Sequence, residues 1–178
     1  MTAHRREIRE AVAAAIVAAG TALGTRVFEN RVDPIQHQQM PAASVFTQSE
    51  EVTKLHEGPR MYVRDCELVV EIVARGSGAV DDVIDGICEE VETAIELANL
   101  PATIAPLALL ELARVEGPVV IRDGSRPIGA VELTYLAKYE DEIAFPEPTD
   151  DLTTVRTELE THEPREGPEA VDETTIQT

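Results

Sequence analysis

The sequence predicts an α+β fold: a mostly antiparallel sheet of four to five strands, with two helices packed on one face and an acidic C-terminal extension. Two neighbouring stretches carry this prediction. From residue 62 to residue 75, apolar and mostly charged residues alternate, which is the period of a strand with one buried face. From residue 80 to residue 98, apolar residues recur at helical spacing and acids fill the opposite side. Gly76-Ser77-Gly78 separates the two patterns.

The N-terminal half is assigned from shorter patterns. Residues 5–19 form a first amphipathic helix, and Gly20 and Gly24 bracket its end. The segments that follow are a short strand or extended arm, a loop with two prolines, a second strand and a polar loop, at residues 26–30, 31–41, 42–47 and 48–60.

The C-terminal half begins where the long helix stops, at Asn99 before Pro101. Residues 107–115 are apolar and favour a strand, with a helix as the competing interpretation. Gly117-Pro118 and Asp123-Gly124 predict turns. Residues 128–139 place apolar side chains at odd positions and form a last long strand. The predicted order is helix, strand, strand, strand, helix, strand, strand.

Composition divides the chain into two parts. Residues 1–145 form the α+β domain. Residues 146–178 contain ten acids and two arginines and no periodic apolar pattern. This composition predicts a solvated, disordered tail, or an arm that becomes ordered on a neighbouring subunit through residues such as Leu152 and Leu159.

The charge of the chain excludes one class of partner. A net charge of −19 argues against binding to nucleic-acid phosphates, which needs Lys and Arg on one face. Only Lys54 and Lys138 are lysines, and this pattern of many acids and few lysines suggests a halophilic host, in whose salt self-repulsion is screened. A GC-rich genome that favours Arg codons is the alternative. Unfolding on dialysis into low salt would support the first hypothesis, and unchanged stability would remove it.

The chain has no pattern typical of a membrane or secreted protein. It has no apolar run long enough for a transmembrane helix, and charges of both signs near the N-terminus argue against a secretory signal. Cys66 and Cys88 are expected to be two small buried thiols. A bridge between them, or a metal pair, is the weaker alternative.

No residue set predicts catalysis. Gly76-Ser77-Gly78 lacks the third glycine of a dinucleotide fingerprint, and Asp81 and Asp82 would repel a pyrophosphate from the helix N-terminus. The four histidines lie on unrelated segments, and no nucleophile motif is present. We therefore expect no enzyme activity, no cofactor, no catalytic residue and no metal site.

Short motifs in order along residues 5–140 resemble a known family. They are Arg26-Val27-Phe28, Arg31-Val32-Asp33-Pro34, Gln39-Met40-Pro41-Ala42, the Asp81-Asp82 helix, and Pro127-Ile128-Gly129-Ala130 with Leu133-Thr134-Tyr135. This order resembles the tail terminator family of long-tailed, siphovirus-like viruses, the lambda-like minor tail protein U group. Head-completion and neck proteins of such virions have similar size and architecture, and the acidic tail departs from the family pattern.

The resemblance implies a structural protein of the virion at the head–tail junction, made in the host cytoplasm. It implies a homo-hexameric ring that caps the tail tube, stops its polymerisation and contacts the tail tube protein and the head–tail connector protein. DNA would pass through the ring without specific binding, and neither a membrane nor a cofactor would be involved. The acidic helix face of Asp81, Asp85 and Glu89, or the 48–60 loop, is expected to line the channel and to repel DNA. Charge reversal there should slow genome ejection.

Two other classes of protein fit the same residues. One is a head-side neck component, an adaptor or stopper, whose loss would not produce overlong tubes. The other is an acidic DNA mimic that inhibits a nuclease or repressor. Such a mimic would be a monomer or dimer and would bind a basic enzyme.

Overall fold

A computed structural model describes residues 4–30, 33–57, 60–76, 79–123 and 126–143, together with two short strands at 155–157 and 172–174. The chain divides into two compact units, Met1–Ile143 and Ala144–Thr178.

The first unit has the α+β architecture that the sequence predicts. Its elements in chain order are α1 (His4–Ala18), β1 (Val27–Glu29), β2 (Ala42–Glu57), β3 (Arg60–Arg75), α2 (Val80–Ala98), β4 (Leu107–Asp123) and β5 (Arg126–Ile143). The five strands form one sheet in the order β1-β2-β3-β5-β4. Only β1 and β2 run parallel; the other neighbours are antiparallel. The predicted order of elements and the fold class are confirmed.

The core lies between one face of the sheet and the two helices. The alternation in β3 sends Leu68, Val70 and Ile72 to this face, where all three are almost fully buried. The helical stripe of α2 and its counterpart in α1 cover them, with Ile84, Val91, Ile8, Val12 and Ile16 among the buried side chains. Val83, which the helical spacing assigns to the apolar stripe of α2, is instead 45% exposed. The buried arc of α2 therefore runs through Cys88 rather than Val83.

The helix ends follow local signals. Asp81 and Asp82 lie in the first turn of α2, where carboxylates are stabilised by the helix dipole. Asn99 ends the helix in the left-handed conformation, with φ of 45°, as a C-cap does. In the described part of the predicted loop at 31–41, His37–Gln39 form a 3₁₀ turn. Neither described helix combines the length and the hydropathy that crossing a membrane requires.

The predicted loop at 48–60 is wrong, because β2 continues to Glu57 and pairs with β3 as far as Arg60. Both faces of this part of β2 are largely exposed, so its sequence carries no apolar alternation. Two bulges, at Thr47/Ser49 and at Lys54/His56, also shift its register. The segment that was expected to line a channel as a loop is therefore a strand as far as Glu57.

The predicted strand at 107–115 is confirmed, and the helical alternative is wrong. β4 continues through Gly117-Pro118 to Asp123, so the predicted turn at Gly117-Pro118 is also wrong. The two residues lie instead at a bulge between Glu116 and Val119, where the register with β5 shifts. Glycine and proline suit a bulge for the same backbone reasons that suit them to a turn. Gly124 of the predicted Asp123-Gly124 turn lies outside the described residues.

Both cysteines are buried free thiols, as expected, and no bridge joins them. In the second unit, Val155–Thr157 and Asp172–Thr174 pair as a short antiparallel ladder. The predicted disorder of the remaining tail falls outside the described residues.

Candidate functional site

The acidic face of α2 is exposed along its length. Asp81, Asp85 and Glu89 all point into solvent. Glu90, next in sequence, instead accepts a hydrogen bond of 2.7 Å from the backbone amide of Ala22 and so anchors the segment after α1 to α2. The structure thus brings the three predicted residues onto one solvated surface. Their lining of a channel stays a prediction.

One edge of the sheet is formed by β4, which is paired on one side only among the described residues. Its distal half carries apolar side chains that reach into solvent: Val115, Val119, Val120 and Ile121 are 51%, 63%, 42% and 61% exposed. A long strand edge with unpaired backbone groups and exposed apolar side chains is a template for pairing with another chain. This surface is called the β4 edge below.

The opposite edge of the sheet is also open over part of its length. β1 covers β2 only at residues 43–45. Beyond that point, β2 pairs with β3 on one side and with no other described strand. Val52 and Leu55 are 46% and 47% exposed there. This surface, residues 48–57, is called the β2 edge, and the two edges lie on opposite sides of one sheet.

A network of charged side chains ties the end of the β2 edge to the rest of the domain. Arg64 on β3 donates a 3.0 Å hydrogen bond to Glu50 on β2 and lies 3.0 Å from the carboxylate of Asp141 on β5. The Tyr139 hydroxyl also donates to Glu50. The His4 ring packs edge-on against Tyr139, with centroids 5.7 Å apart. Glu50 and Asp141 are only 13% and 12% exposed, so the network joins α1, β2, β3 and β5 with little access to water.

The reactive groups in the core are held in their unreactive forms. Burial, followed by the charge of Glu50, raises the pKa of the Cys66 thiol. Burial, followed by Glu92 and Asp85, raises the pKa of Cys88 to about 11. Burial and the hydrogen bond to Glu50 raise the pKa of Tyr139. A thiol attacks as its thiolate, so these shifts argue against a cysteine nucleophile. Within the described residues, no group of three potential ligands could hold a metal ion.

Three carboxylates form a row across the sheet face opposite the core helices. Glu71 on β3 lies opposite Glu132 on β5, and Glu132 lies opposite Glu116 on β4. Burial, and then the charge of Glu132, raise the pKa of Glu71. Like charges directly opposite each other on neighbouring strands destabilise a sheet.

This row gives a pH prediction. The folded-state pKa of Glu71 lies above its unfolded value, so the folded protein binds the proton more tightly. Protonated Glu71 therefore stabilises the folded protein, and this stabilisation is lost as pH rises from the unfolded pKa, about 4.3, through the folded pKa. Glu71→Gln should therefore raise Tm at pH 7.5 and leave it nearly unchanged at pH 4, measured at constant ionic strength. Glu111→Gln, an exposed change of the same charge on β4, is the control. An equal gain in both variants would show that net charge, not the Glu71–Glu132 pair, sets the effect.

Sequence patterns could not find the charged network or the sheet edges. Glu50 and Tyr139 are 89 positions apart and meet only because β2, β3 and β5 are neighbours. The β4 edge could have been predicted only from the run Val119-Val120-Ile121, which is apolar on both faces of a strand.

Comparisons with known proteins identify no family for this chain. No family model matches it, and no curated protein matches it. Among solved structures, this chain is similar to one in the virion of a native gene transfer agent (GTA) particle. It is 17% identical, with a TM-score of 0.44, over 75% of this chain and 95% of that chain. A likeness of this extent does not show what the chain does.

Proposed function

We propose that this chain is a structural protein of a virus-like particle, a tail terminator whose copies form a homo-hexameric ring that caps the tail tube and contacts the head connector. One observation carries the proposal: among the described residues, each side of the first unit's sheet has an open edge with exposed apolar side chains. The motif order along residues 5–140 supports the specific role.

Two different edges on opposite sides of one sheet suit head-to-tail association. The β4 edge of one copy would pair with the β2 edge of the next, by the strand addition that open edges favour. Such a contact is heterologous, and it closes into a ring when the rotation between copies returns to the start. Pairing would cover Val119 and Ile121 of one copy and Val52 and Leu55 of the next.

The charge of the chain suits a ring through which DNA passes. Asp81, Asp85 and Glu89 form an exposed acidic surface on α2, and such a surface on the inner wall would repel phosphates and let the duplex slide. Reversing the charge of Asp81, Asp85 and Glu89 tests this part of the proposal, because it should slow genome ejection.

The terminator role is tested by the length of tail tubes. Tail tube protein that polymerises in the presence of this chain should give short tubes with one capped end. Without it, tubes should grow overlong. Adding the β4-edge variant Val119→Lys/Ile121→Lys, which is expected to be monomeric, should leave tubes overlong. Tubes of unchanged length in all three reactions would contradict termination and favour the head-side neck component.

A further inference from the structure

A second surface on the first unit has the properties of a binding site. A groove of about 350 Å³ runs between the C-terminal half of α2 and the start of β4. It is lined by Glu92, Thr93, Glu96, Leu97, Leu112 and Tyr135. Two of these side chains are unusually exposed leucines, since Leu97 is 79% and Leu112 38% accessible to solvent.

Tyr135 places a polar group at the floor of the groove. The side chain is only 4% exposed, and its hydroxyl is buried without a hydrogen-bond partner among the described residues. Burial, followed by the charges of Glu92 and Glu96, raises the pKa of this hydroxyl, so it stays protonated. Buried polar groups in folded proteins are normally hydrogen-bonded, and an orphaned one indicates that a partner is missing.

The charges around the hydroxyl define what that partner must be. Glu92 and Glu96 lie one turn apart on α2 and act on Tyr135 as its main negative neighbours. Neither carboxylate makes an ion pair within the described part of the chain. A ligand for this groove must therefore carry positive charge, donate hydrogen bonds, and have an apolar stem to cover the two leucines.

We infer that the groove binds an arginine side chain presented by a partner protein of different sequence. The guanidinium would lie between Glu92 and Glu96 and donate to the Tyr135 hydroxyl oxygen, and the aliphatic stem would cover Leu97 and Leu112. Arginine fits better than lysine because its planar fork offers five donors and is more weakly hydrated. This inference does not depend on the proposed role in a virion.

A second copy of the chain is a poorer occupant. An acidic groove attracts a basic partner more strongly than a chain of net charge −19. In addition, Arg6, Arg26 and Arg64 are already hydrogen-bonded to carboxylate or carbonyl oxygens of their own chain.

The test uses N-acetyl-L-arginine methylamide as the probe and the full chain at constant ionic strength. The methyl resonances of Leu97 and Leu112 should shift saturably in an NMR titration. The citrulline analogue, which is neutral and of the same shape, should not shift them. Glu92→Gln/Glu96→Gln should weaken probe binding by about tenfold or more, since hydrogen bonds to charged groups are the strong ones. Asp82→Asn/Glu111→Gln removes the same charge outside the groove and should leave binding unchanged.

Tyr135→Phe separates binding from structure. It should weaken probe binding several-fold while leaving Tm of the free protein unchanged or higher, because no hydrogen bond within the chain is lost. Shifts that do not saturate, or that the citrulline analogue reproduces, would overturn the inference. A second copy would be the occupant if the Leu97 and Leu112 resonances shifted with protein concentration in the absence of probe and no longer did so in Glu92→Gln/Glu96→Gln. This result would also overturn the inference.

Discussion

Val119→Lys/Ile121→Lys on the β4 edge is expected to leave a folded protein that no longer self-associates. The two side chains are 63% and 61% exposed, so lysines there cost the fold little. In an assembled pair, however, they would stand beside the side chains of the neighbouring copy's strand and lose part of their hydration, and edge lysines are a common way of preventing strand addition. Sedimentation velocity in concentrated KCl should show monomers for the variant and a closed oligomer for the unmodified chain.

The opposite edge supplies a stricter form of the same test. Val52→Lys/Leu55→Lys should also be monomeric. When the two monomeric variants are mixed, the intact β4 edge of one can pair with the intact β2 edge of the other. The mixture should therefore give one-to-one pairs and nothing larger. Val17→Lys/Val83→Lys, which changes exposed apolar residues on the helices, is the matched control and should still form the oligomer. Rings formed by either edge variant would exclude edge-to-edge pairing.

Gly117→Ala is expected to be the most destabilising single substitution that adds one methyl group. Gly117 has φ of +120°, which L-residues rarely adopt, and an added Cβ would lie 2.8 Å from the backbone oxygen of Ala130 and 3.2 Å from Val131. Neither backbone can move away, because β4 and β5 are paired on both sides of the bulge. Backbone strain and overpacking together should lower the free energy of unfolding by about 2–4 kcal/mol.

Two other glycines separate the causes. Gly20 has φ of +68° with nothing near its Cβ position, so Gly20→Ala should show the conformational cost alone, about 1 kcal/mol. Gly86 lies within α2 with open space around it, and Gly86→Ala should stabilise the fold by roughly 0.5–1 kcal/mol. Denaturant unfolding at fixed salt measures all three. A Gly117→Ala cost no larger than that of Gly20→Ala would mean that the strands do not approach so closely at this bulge.

Elements with one buried face could be predicted from the sequence, and elements without one could not. In β3 and in α2, one face enters the core and the other does not, so the spacing of the apolar residues reveals both elements. The far half of β2 has water on both faces, and its residues read as a loop until the pairing with β3 is known. Gly117-Pro118 misled for a different reason: the chemistry that permits a turn also permits a bulge inside a strand.

The candidate surfaces divide along the same line. The exposure of Asp81, Asp85 and Glu89 follows from helical spacing alone. The network of Glu50, Arg64, Tyr139 and Asp141 depends on three strands meeting, which no local pattern encodes. Likewise, the open edges appear only once the strand order β1-β2-β3-β5-β4 is known, because the same apolar residues inside a sheet would be ordinary core.

The central claim is that copies of this chain join through the edges of their sheets into a closed ring. Light scattering in concentrated KCl, over a wide range of protein concentration, measures the mass of the assembly directly. Six copies of a 19.4 kDa chain predict a single species of about 116 kDa whose mass does not grow further. A mass that stays at one copy at every concentration, both alone and with tail tubes added, would contradict the claim.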